Sequence, residues 1–240
     1  MRLLMTRPEP DASLSAERLR ALGHDVIISP LLEVKFSDAP LSWEANTEII
    51  VTSKNGVRAL ASLAHETMRV HAPIIAVGDA TAALAKQAGF ANVFSASGTT
   101  EDLVALIADK KPNKLLYICG RDRKSNLEEK LHTLGIPLNI AERYHADFVK
   151  VLHEETQKAL INQSIDGILF YSARSAQAFQ KLIDQNLVSY MTNTMTYFCL
   201  AKDVSSVFDS SCGIEIAIAN HPTEQSLFEA IQTYKQNCAN

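Results

Sequence analysis

Short apolar runs alternate with helix-like segments along most of the chain. Residues 2–6 (RLLMT) form an apolar run, and residues 11–23 follow with helical periodicity that ends at a glycine. Further strands are predicted at 48–52, 73–77, 92–95, 114–119, 167–171, 195–200 and 215–219. Helices are predicted between or after them at 56–64, 80–89, 100–108, 125–135, 154–162, 176–184, 204–210 and 223–234. Continuous apolar strands that alternate with helices indicate an α/β fold, with parallel sheets covered on both faces.

Two stretches interrupt this alternation. Residues 25–34 are strand-like but contain Pro30, and residues 35–48 are polar and irregular, so a boundary is predicted near 33–43. Residues 135–149 (GIPLNIAERYHADFV) are rich in strand formers, carry Tyr144 near the middle and lead into the second run of α/β units. This second stretch is predicted to join two lobes.

An internal repeat supports the idea of two similar lobes. A shift of 112 positions places residues 2–4 on 114–116 and Leu22-Gly23 on Leu134-Gly135. A shift of 119 positions lays residues 49–63 over 168–182 and matches Ser53 to Ser172. Any single pair of strand-loop-helix units can look alike, but matches that recur in the same order across both halves favour duplication.

Two such lobes are expected to bind a ligand in the cleft between them, at the carboxyl ends of the strands. The loops predicted at this edge are residues 6–8, 53–56, 78–81, 120–123, 172–175 and 201–203. Each lies at a predicted helix start, where unpaired N–H groups and the helix dipole attract anions. The alternative for each loop is a simple helix cap or a solvated surface charge. If the loops converge, they suit a ligand with several carboxylates or phosphates.

Composition removes several classes of function. The chain has 240 residues, 47% of them hydrophobic, and a formal net charge of −4, which gives no general electrostatic reason to bind nucleic acid. The N-terminus reaches Pro8 after a run of three apolar residues, so no signal peptide or membrane span is expected and a cytoplasmic location is predicted. The four cysteines and seven histidines show no metal-ligand spacing, and no metal is expected. Fingerprints of dinucleotide sites, P-loops and nucleophile elbows are missing from the sequence.

The residues alone therefore indicate a two-lobed α/β protein that binds a small polyanion. An ordered set of short motifs goes further: TRP at 6–8, PLLEV at 30–34, TSKNGV at 52–57, AVGDATAALAKQAGF at 76–90, YICGRDRKSNLEEKLHTLG at 117–135, ERYHA at 142–146 and FYSARSAQAF at 170–179. In this order and spacing, which spans essentially the full chain, the set resembles the uroporphyrinogen-III synthase family.

The resemblance implies a particular layout of the chain. One lobe would contain residues 1–34 and 149–240, the other residues 37–142, and linker strands at about 33–38 and 142–149 would run between them. Each half of the sequence repeat would then contribute to both lobes. A contiguous division near residue 112 is the competing layout.

The resemblance also implies a reaction. Hydroxymethylbilane, a linear tetrapyrrole with eight side-chain carboxylates, would be cyclised with loss of water and inversion of its last ring, without a metal or organic cofactor. The protein would act as a monomer on this small-molecule substrate. The alternative from another class is a non-catalytic cytosolic sensor that closes on a small polyanion.

Site residues are implied by position in the motifs. Tyr144 would be the general acid or hydrogen-bond donor in the cleft, and its alternative role is packing on a linker strand. The implied substrate contacts are Arg7, Ser53, Asn55, Gly56, Thr81, Arg123, Ser172 and Ala173. The pattern departs from the family at Ala201 and Val204, where a glycine and a threonine are usual. Ser205, one position further along the helix, is expected to point elsewhere.

Overall fold

The computed structural model describes residues 1–123, 126–186, 195–208 and 214–239. Two compact units divide the chain: Met1–Val34 with Asp147–Asn240, called unit 1 below, and Lys35–Ala146, called unit 2. Each unit is built around its own mainly parallel sheet with helices on both faces, which confirms the predicted α/β class. The lobe boundaries inferred from the resemblance, and the ligand cleft, stay predictions.

The strands are β1 Arg2–Met5, β2 Asp25–Ile28, β3 Leu32–Phe36, β4 Thr47–Val51, β5 Pro73–Ala76, β6 Asn92–Ser95, β7 Lys114–Gly120, β8 Leu138–Phe148, β9 Gly167–Phe170, β10 Thr196–Cys199 and β11 Glu215–Ile218. The helices are α1 Asp11–Ala21, α2 Lys54–Leu63, α3 Glu66–His71, α4 Asp79–Gln87, α5 Thr100–Lys110, α6 Asn126–Thr133, α7 Glu154–Ile161, α8 Ala173–Asn186, α9 Lys202–Ser205 and α10 Glu224–Ala239.

The sheet of unit 1 has the strand order β11-β10-β9-β1-β2, and all four strand pairs are parallel. Helices α1 and α10 cover one face, where Leu3 and Phe198 meet Leu19 and Leu227. On the other side of the sheet an aromatic cluster forms around Phe170, with Phe179, Tyr197 and Phe208. Burial on both faces explains why the strands of this unit are continuous apolar runs.

The six-stranded sheet of unit 2 has the order β3-β8-β7-β4-β5-β6, and β4, β5, β6, β7 and β8 pair in parallel. Side chains alternate along β4, so that Ile49 and Val51 pack against α2 and α4 while Ile50 packs against α5 and α6. We call these the α2 face and the α6 face. The alternation fixes which residues at the strand ends can share a face.

Several element bounds differ from the predicted ones. Helix α3 is unpredicted; it has six residues, and the ring of His65 caps it by accepting the Met68 N–H at 3.3 Å. Helix α8 begins at Ala173 rather than 176, and α9 begins at Lys202 rather than 204. Residue 125 and residues 209–210 of the predicted helices lie outside the described part of the chain. With only six residues, α3 has too few turns for its periodicity to show in the sequence.

We expect Phe170→Ala to lower the free energy of unfolding by about 3 to 5 kcal/mol. Phe170 is fully buried, with the rings of Phe179, Tyr197 and Phe208 at 5.3, 5.4 and 4.8 Å from its own. Urea denaturation measures the loss. Phe94→Ala is the matched control, because this phenylalanine is 41% exposed and its removal should cost less than about 1 kcal/mol. Equal losses for the two variants would contradict the assignment of the core.

Candidate functional site

The strand order of unit 2 indicates where a candidate site lies. From β4 the chain builds outward to β5 and β6 on one side and then returns to add β7 and β8 on the other. Such a reversal leaves a crevice at the carboxyl ends of the two central strands, where α/β proteins commonly bind ligands. Here those ends are Val51, followed by Thr52 and Ser53, and Gly120.

Tyr144 lies at this switch point. Its hydroxyl is 2.8 Å from the hydroxyl of Ser53, and its ring packs on the α2 face of the sheet. Ser53 is also the N-cap of α2 and accepts the Gly56 N–H at 3.0 Å. A serine oxygen that accepts one bond can still donate its proton. When Ser53 donates to Tyr144, the phenolic proton is left to serve a ligand.

Burial raises the pKa of Tyr144 above its ordinary value of 10, and the hydrogen bond from Ser53 opposes this rise. The phenol is therefore neutral near pH 7, in the form that can donate a hydrogen bond. Such a phenol is a weak proton donor and a good hydrogen-bond donor.

A second phenol lies on the opposite face of the same sheet. The hydroxyl of Tyr117 is 2.8 Å from that of Thr52, and its ring is buried on the α6 face with 3% exposed. Burial raises the pKa of Tyr117 to about 12. The two residues that follow β4, Thr52 and Ser53, thus each form a hydrogen bond with a tyrosine hydroxyl, one on each face of the sheet. Sequence reasoning missed the Thr52–Tyr117 pair, since a tyrosine inside an apolar strand reads simply as core.

Arg123 is held by two carboxylates. Its guanidinium is 2.6 Å from Glu128 and 2.6 Å from Glu142, and it donates to the Gly120 carbonyl at 3.0 Å. Burial lowers the pKa of Arg123, but the hydrogen bonds to the carboxylates outweigh this effect and raise it. Its charge is therefore largely compensated within unit 2. The predicted contact with substrate stays a prediction.

The other predicted residues of unit 2 lie at helix starts. Asn55 is in the first turn of α2, and its amide oxygen accepts from Arg58 at 2.7 Å. A Cβ at Gly56 would be 3.1 Å from the Ile118 carbonyl oxygen, so the absence of a side chain lets α2 approach the sheet. Thr81 is buried in the first turn of α4, whose N-cap residue, Gly78, provides no side-chain hydrogen bond.

Unit 1 has its own switch point, between β1 and β9. Arg7 follows β1 and lies over the ring of Tyr171, with its guanidinium carbon 4.4 Å from the ring centre. It also bonds Glu224 at 2.8 Å and Ser15 at 3.0 Å, and lies 3.6 Å from Asp11. Arg7 thus belongs to a packed polar cluster of unit 1, in which its charge is compensated.

Ser172 resembles Ser53 in position but not in its partner. Its oxygen accepts the Ser175 N–H at 3.2 Å, and its hydroxyl pairs with the Ser175 hydroxyl at 2.9 Å. Ala173 is the first residue of α8. Ser53 and Ser172 therefore cap their helices in the same way, and within the described residues the hydrogen bond to a tyrosine hydroxyl is seen at Ser53.

At α9 the sequence departs from the family pattern, with Ala201 and Val204 in place of the usual glycine and threonine. Ala201 is the N-cap and makes no side-chain cap bond, and Val204 is buried. The hydroxyl of Ser205 donates to the Lys202 carbonyl at 2.9 Å, as expected for a side chain that points elsewhere. Whether Ser205 substitutes for the family threonine stays a prediction.

Within the described ranges, no group of three or more histidine, cysteine, aspartate or glutamate side chains could hold a metal ion. In that same part of the chain, no helix is long and apolar enough to cross a membrane. Cys119 and Cys199 are free and buried, and burial raises the pKa of Cys119 to about 11 and that of Cys199 to about 12. Cys212 lies outside the described residues.

Two mainly parallel sheets with helices on both faces define a two-unit α/β protein. The chain belongs more specifically to the uroporphyrinogen-III synthase family, since the family model described as uroporphyrinogen-III synthase HemD matches residues 13–229. This confirms the predicted family and, with it, the enzyme class of a cyclising lyase.

Solved structures share the fold. Uroporphyrinogen-III synthetase from Helicobacter pylori 26695 superposes with a TM-score of 0.64 at 19% identity, covering 97% of this chain and 98% of that one. A mutant uroporphyrinogen III synthase from the extremely thermophilic bacterium Thermus thermophilus gives a TM-score of 0.56 at 14% identity, with 99% of each chain covered. No curated protein matches the chain in a direct sequence comparison.

The Thr52–Tyr117 pair predicts a pH dependence of stability. The folded-state pKa of Tyr117, about 12, lies above the ordinary value of 10, so the neutral phenol contributes stability that is present below pH 10 and lost as the pH rises through 12. We expect the stability difference between wild type and Tyr117→Phe to change by about 2 to 3 kcal/mol in favour of the variant between pH 9 and 12. Urea denaturation across this range measures it. Parallel pH curves for the two proteins would contradict the assignment.

Proposed function

We propose that this chain closes hydroxymethylbilane to uroporphyrinogen III, and that the hydroxyl of Tyr144 assists departure of the substrate's terminal hydroxyl. The observation that carries the residue assignment is the neutral phenol of Tyr144, held by Ser53 at the switch point of unit 2. Family membership supports the reaction.

The first chemical step breaks a carbon–oxygen bond. The terminal hydroxyl leaves as water, so it must gain a proton or a strong hydrogen bond as the bond breaks. Tyr144 can supply this interaction while Ser53 donates to the phenolic oxygen and stabilises developing negative charge on it. The organic product of this step is an azafulvene cation, and ring closure later releases a proton, so the net change is loss of one water.

The choice of isomer is a conformational problem. The bilane closes spontaneously to the uninverted isomer, so the protein must hold the chain in the shape that favours attack through a spiro intermediate. The groups available at the helix starts are Ser53, Asn55, Gly56 and Thr81 in unit 2 and Ser172 and Ala173 in unit 1. Their N–H and hydroxyl groups suit the substrate carboxylates.

Arg7 and Arg123 are also candidate substrate contacts, but we expect their direct attraction to the substrate to be small. Each already bonds carboxylates of its own unit, so its net field at the substrate is weak. We propose that they act mainly by shaping the loops that bear the hydroxyls. We further propose a cytoplasmic monomer that needs no cofactor and binds no nucleic acid.

The reaction is tested by feeding enzymatically generated hydroxymethylbilane to the purified protein and separating uroporphyrinogen isomers I and III. We expect isomer III to dominate and to scale with protein concentration. A protein that only binds the bilane would leave isomer I forming at the spontaneous rate. That result would favour a polyanion sensor over an enzyme.

The role of Tyr144 is tested by Tyr144→Phe, which removes the hydroxyl and keeps the ring. We expect kcat to fall by roughly 10- to 100-fold with a smaller change in KM, because general acid or hydrogen-bond assistance is lost only partly to water. Tyr117→Phe is the matched control, since it removes a hydroxyl with the same kind of partner on the opposite face. Full activity of Tyr144→Phe would show that the hydroxyl has no part in the reaction.

A further inference from the structure

We propose that Gly120, together with a β-bulge at Arg143, is the positioning device that places the Tyr144 hydroxyl on Ser53. The catalytic consequence rests on the function proposed above for Tyr144. The positioning itself is a statement about the unliganded protein and can be tested without substrate.

The bulge is visible in the pairing of β7 with β8. Cys119 pairs with Glu142, but the next residue, Gly120, pairs with Tyr144, so Arg143 is one residue too many on β8. A bulge of this kind re-aims the side chains that follow it.

The bulge changes the face that Tyr144 occupies. Ala141 packs on the α2 face, and in a regular strand Arg143 would be the next residue on that face. The extra residue puts Tyr144 there instead, beside the N-terminus of α2 where Ser53 lies. Without the bulge, the phenol would point towards the opposite face and away from Ser53.

Gly120 supplies the space for the ring. A Cβ at this position would lie 2.7 Å from Cε2, 2.8 Å from Cζ and 3.2 Å from the hydroxyl of Tyr144. Carbon atoms in contact lie about 3.5 to 4.0 Å apart, so the ring would have to withdraw by roughly 1 Å. The phenol therefore rests directly on the backbone of β7.

The backbone conformation at position 120 does not require a glycine. Gly120 lies in a strand, and its φ is outside the left-handed range that disfavours side chains. A glycine in a strand weakens the strand unless something approaches closely. In this strand the close approach is made by the ring of Tyr144.

Ser53 cannot follow a displaced ring. Its oxygen is fixed at the start of α2 by the Gly56 N–H, and a hydroxyl pair at 2.8 Å tolerates only a few tenths of an ångström before the bond is lost. A methyl group at position 120 is thus expected to separate Tyr144 from Ser53 while both residues remain present.

Gly167 provides a matched control. It is also a strand glycine under an aromatic ring, with a Cβ that would lie 2.5 Å from Cε2 of Phe198, but it belongs to the core of unit 1. Gly167→Ala should strain packing as much as Gly120→Ala does. It should leave the kcat of the folded protein unchanged, because no hydroxyl pair depends on it.

The kinetic test is a double-mutant cycle. We expect Gly120→Ala to lower kcat by roughly 10- to 100-fold, like Tyr144→Phe, with little change in KM. The double variant Gly120→Ala/Tyr144→Phe should be no slower than the slower single variant, since Gly120 acts through the hydroxyl. Multiplicative losses, or an equal loss in Gly167→Ala, would overturn the proposal.

The substrate-free test follows the phenol itself. With tyrosine labelled with carbon-13 at Cζ, the Tyr144 signal is assigned by its loss in Tyr144→Phe and titrated in wild type and Gly120→Ala. We expect its pKa to lie above 10 in the wild type and to fall towards 10 in Gly120→Ala as the ring leaves its pocket. An unchanged titration would overturn the proposal. A shifted titration in a protein that makes no isomer III would uphold the positioning and reject the proposed function.

A further variant tests the proposal even if Gly120→Ala does not fold. If Gly120→Ala does not fold, Gly120→Ala/Tyr144→Leu should fold, because the ring atoms that the new methyl group meets are gone. Recovery of cooperative urea unfolding supports the proposal. Failure to recover, with Tyr144→Leu alone folded, overturns it.

Discussion

The constraint on which the structure depends is that a parallel sheet needs helices on both faces. Nine of the eleven described strands, all except β2 and β3, are followed by a helix before the next strand, which brings strand ends and helix starts to one edge of each sheet. In unit 2 this edge gathers the end of β4, the end of β7 and the start of α2. The position of the candidate site is therefore a consequence of topology: the same packing that buries Ile49 and Ile50 on opposite faces leaves Thr52 and Ser53, both partly buried, at the edge.

Ser53 links structure and chemistry at this edge. As an N-cap it satisfies the Gly56 N–H, which is worth about 1 kcal/mol in typical helices, and its hydroxyl proton is then free to meet Tyr144. Ser172 shows what the same cap does without a phenol beside it, since its hydroxyl turns to Ser175. The two units thus share a capped helix start, and among the residues that the structure describes the cap in unit 2 is the one bonded to a tyrosine hydroxyl.

The two arginines proposed as substrate contacts are each paired with carboxylates of their own unit. Arg123 bonds Glu128 and Glu142, and Arg7 bonds Glu224, which also accepts from Ser15 and Arg18. In the proposed function, these two arginines would contribute little direct attraction to a polyanionic substrate, and N–H and hydroxyl groups at the helix starts would supply directional hydrogen bonds. Direction matters when the protein must choose one conformation of a flexible chain.

By itself, the sequence determined the α/β class, most strand positions and the ordered motifs that place the chain in its family. These features are local or periodic, so they can be read from neighbouring residues. Tertiary structure decided the rest. Only strand pairing shows that Arg143 is bulged and that Tyr144 lies on the face of Ala141. Only packing shows that Gly120 is small to admit a ring and that Arg123 is already paired. These facts depend on register and on contacts between residues far apart in the chain, which the order of residues along one strand does not record.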